Sequence, residues 1–329
     1  MLIVALAGLA LLAQGSQATA PALPAPAGAS IAATAWSSGW VDIDPGQLIT
    51  LQHNLGGDPS QYSVQLWFWD TDAGGFGINT RAYGGLEVNG LYYGAFWRNL
   101  DGAGIGVYRH SDDTLADRVR VWIWVPQPLP EYCSPWTPVA AGASAPFAHN
   151  LGRNVDDYAV GLWFSDTGSV YGVNQTAYGG MEDNGQDLGA WWHDLTTTGV
   201  QVHRAAGDPY AGSVRVCVSV AETPDYDSGW VDINPGQMMA LDHDLGGDTD
   251  RYVVRMEFED TAATGLGIHH ENAGGNAIGS TYVGANWENL TESSIRVVRR
   301  PDDAHSDRVR VRIWMRSFST YLPVILNDK

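Results

Sequence analysis

The chain repeats itself. Ser38-Gly39-Trp40-Val41-Asp42-Ile43 returns as Ser228-Gly229-Trp230-Val231-Asp232-Ile233, and Asp117-Arg118-Val119-Arg120-Val121 returns as Asp307-Arg308-Val309-Arg310-Val311. Both pairs share one offset, so the two segments align without a gap. A more diverged copy lies between them. There Trp136 matches Trp40, His149 matches His53, Tyr178-Gly179-Gly180 matches Tyr83-Gly84-Gly85, and Arg215 matches Arg120. The copies span 36–126, 132–221 and 227–316. They are joined by Pro126-Gln127-Pro128-Leu129-Pro130 and Glu222-Thr223-Pro224-Asp225. A unit of about 90 residues can hold its own core, so this is a tandem array of small domains rather than a solenoid.

Each copy reads as about six short strands. Tyr62 to Trp69 alternates with period two. Tyr62, Val64, Leu66 and Phe68 share a face that the third copy keeps as Tyr252, Val254, Met256 and Phe258. That face is the expected core. On the other face Trp67 and Trp69 become Glu257 and Glu259. In the last strand Val119, Val121 and Ile123 point inward, while Trp122 becomes Arg312. Aromatic clusters and opposite charges are both favourable cross-strand solutions. The two strands are therefore expected to be neighbours, or their faces to meet between copies. With 39 Gly and 14 Trp, the chain reads as all-β: three antiparallel β-sandwich domains.

The apolar run Leu2 to Ala13 has the length of a signal-peptide core and is too short to span a bilayer. Small residues follow, and cleavage after Ala18 gives a signal over 1–18, with a Pro/Ala-rich spacer over 19–35. The expected location is secreted or cell surface, with no membrane span. A net charge of −19 argues against nucleic acid and against anionic membrane surfaces. In an exported chain Cys133 and Cys217, at the ends of the middle copy, can form a disulfide; free thiols and intermolecular links are the alternatives. The tail 317–329 contains Tyr321-Leu322-Pro323-Val324-Ile325-Leu326, read as a sorting or docking element or as a final strand.

Several recurring residues could carry function. His53, His149 and His243 follow the second strand; a structural role, a ligand contact and a metal site are all open, but no second His or Cys stands at ligand spacing. Arg109, Arg204 and Arg299 each precede an Asp by four residues. They are either forks onto that Asp or clamps for a ligand's hydroxyls or carboxylates. Trp97, Trp192 and Trp287 stand beside Asn99, Asp194 and Asn289. Sugars present flat C–H faces to aromatic rings, so these Trp are core or stacking residues. Trp67 and Trp69, with Trp122 and Trp124, are expected to be more exposed. A long Gly-rich loop begins at Asp70, Asp166 and Asp260 and keeps Asn79 and Asn174. Calcium could use Asp70 and Asp72, but no complete EF-hand pattern occurs, and no metal or cofactor is expected. No nucleophile elbow, P-loop or dinucleotide fingerprint occurs.

Ser38-Gly39-Trp40 at the start, an aromatic strand ending in Asp, and a closing Val119-Arg120-Val121-Trp122-Ile123-Trp124 give a plan that resembles H-type lectin domains, which are six-stranded antiparallel β-sandwiches of similar length. The resemblance implies trimeric assembly, with N-acetylgalactosamine-type sugars bound near subunit contacts. For three covalent copies it implies one pseudo-threefold unit. The family's sugar contacts do not match residue by residue, so no particular sugar is carried over. The expectation is an exported, multivalent carbohydrate-binding protein without catalytic activity, its partners being glycans or cell-surface polysaccharide. The alternative is a structural or adhesive surface protein whose sheet faces drive self-association. A hydrolase ranks below both, since a catalytic site rarely appears in triplicate.

Overall fold

Alternation in a strand sends successive side chains to opposite faces, so a chain with this pattern needs a partner for each face. A computed structural model of the chain describes residues 35–126, 129–166, 168, 171–316 and 324–326. The expected signal, all of the spacer but Ala35, and the tail apart from Val324–Leu326 lie outside the described residues.

The first repeat has ten short strands where about six were expected. They are β1 (Ala35–Ser37), β2 (Val41–Asp42), β3 (Leu48–Gln52), β4 (Ser63–Asp70), β5 (Gly77–Asn79), β6 (Leu86–Val88), β7 (Leu91–Tyr93), β8 (Ala95–Arg98), β9 (Gly104–Arg109) and β10 (Arg118–Trp124). The surplus arises because the first strand is broken into β1 and β2, because β5 lies inside the Gly-rich loop, and because β6 and β7 add a hairpin. One sheet has the order β1-β10-β4-β5, with β2 also on β10. The facing sheet has the order β3-β9-β8, and β6 and β7 form a hairpin. Repeats two and three reproduce this plan, so the chain is three tandem antiparallel β-sandwiches.

Between the two sheets Leu66, Phe68, Val119, Val121 and Ile123 meet Ile49, Leu51, Trp97, Ile105 and Val107, all buried. Each such aliphatic contributes roughly 1.5–3 kcal/mol. β4 and β10 pair directly, with Arg120 opposite Trp67.

The Ser-Gly-Trp motif explains the broken first strand. Gly39 has a φ of +62°, a left-handed conformation that glycine adopts without a Cβ penalty. The Ser38 hydroxyl accepts the Val121 N–H at 2.9 Å and bridges the gap in the ladder. Trp40 is thereby aimed at another repeat, where its indole N–H donates to Asp250 at 2.9 Å. Trp230 does the same to Asp156 at 2.8 Å.

These contacts run in a circle. Arg120 of repeat one pairs with Asp250 of repeat three, and Arg310 of repeat three lies 3.3 Å from Asp156 of repeat two. Arg215 of repeat two acts on Asp58 of repeat one, whose carboxyl is held low chiefly by the Ser60 hydroxyl and amide. A second circle uses the turns after the recurring Trp. Asn99 donates its backbone N–H to Tyr171, Asp194 to Leu266 and Asn289 to Phe76, at 2.8, 2.8 and 2.9 Å. Three interfaces of one kind, each between different repeats, close the chain into a pseudo-threefold ring.

The ring overturns one expectation. Trp67 and Trp122 are 1 % and 0 % exposed rather than at the surface. The faces beyond β4 and β10 meet between copies. Trp67 packs edge-on against Trp287 of repeat three at 5.5 Å, and the Arg120 guanidinium lies 4.3 Å from the Trp122 ring. Trp122 packs with Val253 and Trp314. Where repeat three has no Trp, Arg312 and Glu257 form a buried pair at 2.6 Å.

Cys133 and Cys217 stand opposite each other in register and form a disulfide. The tail's Val324–Leu326 is a strand paired with β3 of repeat one, Leu326 opposite Thr50. The equivalent edges, Ser144–Ala148 and Met238–Asp242, have no such partner among the described residues.

Candidate functional site

Most of the recurring polar residues hold the scaffold. Arg109 donates Nε to Asp113 at 2.9 Å, Nη1 to the Ile43 carbonyl and Nη2 to the Asp113 carbonyl and to Asp117. Arg204 and Arg299 repeat the fork onto Asp208 and Asp303 at 3.0 and 2.9 Å. Of the two roles open for these arginines, the geometry is that of the fork.

The recurring Trp are internal. Trp97, Trp192 and Trp287 are at most 3 % exposed. Trp97 donates its indole N–H across a repeat boundary to Gln175, and Trp192 donates to Tyr178. Trp69 is half-buried, edge-on to Trp40 at 5.3 Å.

The loop residues are also internally bonded. Asn79 is fully buried; its amide donates to Gly77 and Leu115 and accepts the Arg81 N–H. Asn174 makes the matching set. In repeat three His269 substitutes for the amide: Nδ1 accepts the Glu271 N–H, and Nε2 meets the His305 carbonyl. Asp70 and Asp260 each accept two loop amides, and Asp166 accepts those of Gly168 and Tyr171. Oxygens of Asp70, Asp72 and Asp117 approach one another within 4.8 Å, the one such acidic group among the described residues.

His53, His149 and His243 each accept a backbone N–H at Nδ1 and pack edge-on against Tyr62, Tyr158 and Tyr252. Burial lowers all three pKa values, and it takes His269 down to about 4. Each of these four imidazoles takes up its proton at a lower pH when folded than an unfolded His does, near pH 6.5. Their contribution is present above that value and is lost as pH falls toward the folded values, by up to about 1.4 kcal/mol per group per pH unit. His305 works the other way: Asp260 and Glu271 outweigh its burial and raise it. We expect the urea midpoint to drop between pH 7.5 and pH 5; a midpoint unchanged over that range would contradict the lowered histidine pKa values.

One cavity open to a ligand lies where repeats one and two meet. In β8, Trp97 points into the core, so Phe96 and Arg98 take the opposite face. β9 places Tyr108 directly opposite Phe96, with ring centres 5.5 Å apart. Repeat two contributes Tyr171 and Tyr210, themselves edge-on at 4.5 Å, together with Asp183. These residues and His110 line a cleft of 440 Å3, inside the roughly 300–1,000 Å3 range of small-molecule sites.

The electrostatics are mixed. The Arg98 guanidinium lies 5.0 Å from the Tyr171 ring, and its buried Nε has no partner. His110 Nε2 is likewise buried without a partner, and burial lowers the pKa of that ring. Tyr92 donates its hydroxyl to Asp183 at 2.5 Å, which pushes its pKa up to about 12. The cleft thus offers flat aromatic walls, unused nitrogens and a carboxylate. That set suits a polyhydroxylated ring, with C–H faces stacked on the walls and hydroxyls on the polar atoms.

Reading for recurrence misses this site because its residues do not recur. Phe96 aligns with Trp191 and Asn286, Arg98 with His193 and Glu288, Tyr108 with His203 and Val298, and His110 with Ala205 and Arg300. Variation at matched positions of strongly matched strands is the signal that could have found it. No family model and no curated protein matches the chain.

Proposed function

We propose that the chain is an exported, multivalent carbohydrate-binding protein that carries out no chemistry of its own, with glycan contacts in the clefts between repeats. The observation that carries this reading is the aromatic cleft between repeats one and two. The resemblance to H-type lectin domains adds support, because it implies sugars near subunit contacts and this cleft lies at the covalent counterpart of such a contact. The disulfide fits an oxidising compartment. Among the described residues no helix is long and apolar enough to cross a membrane. Any further glycan contacts at the other two repeat boundaries would raise apparent affinity through effective concentration. The self-assembly alternative drew on the Trp, Glu and Arg faces, and those faces are occupied within a single chain.

The test is a glycan array with the mature chain from about Ser30 onward, with calcium and with a chelator. Selective binding competed by free sugar is expected. Tyr108→Ala and Arg98→Ala should each weaken it by about tenfold or more, while Trp69→Ser should leave it unchanged. Calcium dependence would direct attention to Asp70, Asp72 and Asp117. A blank array from a folded sample overturns the proposal.

A further inference from the structure

A second pocket lies on the ring's pseudo-threefold axis and shares no lining residue with the cleft. It has a volume of 190 Å3, and Gln65, Trp67, Gly161, Trp163, Arg255 and His270 are among the residues around it. Gln65, Gly161 and Arg255 hold one alignment position in the three repeats, so the symmetry is broken there. The sides differ accordingly. The Trp163 ring folds over Gly161, where an added Cβ would lie 2.4 Å from its Cη2. Arg255 and His270 come from repeat three.

Four polar atoms on this lining are buried without a hydrogen-bond partner: Gln65 Oε1, Trp163 Nε1, Arg255 Nη1 and His270 Nδ1. Buried polar groups are normally satisfied, so such a group in a pocket points to something that is bound there. The charges point to its sign. Glu257 is taken by Arg312 at 2.6 Å, and Arg120 by Asp250. Among the described residues Arg255 makes no ion pair: Glu257 acts on it electrostatically, but the carboxylate oxygen that Glu257 bonds through goes to Arg312. Trp67, Tyr83, Trp124, Trp163, Tyr178 and Trp287 supply flat apolar walls. The volume slightly exceeds that of a cavity of about 150 Å3 that holds benzene.

We propose that this axial pocket binds a small organic monocarboxylate of one ring, its carboxylate on Arg255 and its ring between the Trp and Tyr walls. A guanidinium offers parallel N–H donors that match a carboxylate, and such charge-assisted bonds are about twice as strong as neutral ones. The site is independent of the glycan clefts, so a sugar should not compete with it.

The probe is benzoate, titrated into the full mature chain by calorimetry and by tryptophan fluorescence. Saturable one-to-one binding is expected, with benzyl alcohol at least tenfold weaker. Arg255→Gln, which installs the side chain of repeat one, should weaken benzoate at least tenfold and leave glycan binding intact. If that variant fails to fold, anomalous scattering from 4-bromobenzoate soaked into wild-type crystals decides the matter, a bromine on the axis being the expected result. Absence of saturable binding, equal affinity for benzyl alcohol, or ordered water alone in the pocket would overturn the proposal.

Discussion

Reduction of the Cys133–Cys217 bond is expected to remove about 4–5 kcal/mol of stability, the largest single loss foreseen for this chain. The two cysteines are 84 residues apart in sequence, so the bond ties together nearly the whole middle repeat. A cross-link over a loop of that length restricts the unfolded chain by about that amount in the chain-entropy account. Repeats one and three fill the same position with Ser37–Trp122 and Asp227–Arg312. The middle repeat alone depends on a covalent link there. Urea unfolding with and without dithiothreitol measures the effect. The Cys133→Ser/Cys217→Ser double variant should match reduced wild type. A reduced protein within about 1 kcal/mol of the oxidised one would count against the account.

Asp303→Ala should cost about 3–5 kcal/mol, the usual range for removing one partner of a buried ion pair. The reason is the number of donors on one carboxylate. Oδ2 accepts Arg299 Nε and the N–H groups of His305 and Ser306, and Oδ1 accepts the Gly284 N–H at 2.7 Å. The carboxylate is almost inaccessible, and so is its arginine. Alanine leaves a buried cation and three amides short of an acceptor. Equilibrium unfolding of the full chain is the measurement, with Asp44→Ala as the exposed control. A loss below about 1 kcal/mol would show that water replaces the carboxylate at no great cost.

The scaffold was legible in the sequence because scaffold residues recur for local reasons. The Arg–Asp fork needs only a turn of four residues, and the buried face of β4 needs only alternation. The disulfide follows from two cysteines placed at the two ends of one unit. What covers the other face of β4 was not legible. Trp67 looks solvent-facing within one repeat, and only the closed ring shows Trp287 against it. The cleft was hidden for a related reason. Phe96 and Tyr108 belong to one repeat, Tyr171 and Tyr210 to the next, and no local period links them. His269 gave a third kind of ambiguity. It stands where repeats one and two have Asn79 and Asn174, and its ring makes the same two kinds of hydrogen bond.

Joining the three units in one polypeptide has a consequence for how the molecule can diversify. In a homotrimer every substitution at a subunit boundary is made three times, and the symmetry forbids changing one boundary alone. Here the boundary closed by Asn289 and Phe76 is encoded separately from the other two. Position 96 and its counterparts have already become Phe, Trp and Asn, and position 98 and its counterparts Arg, His and Glu. One ring can thus hold three chemically unlike recognition surfaces on a single frame, each open to selection without disturbing its neighbours.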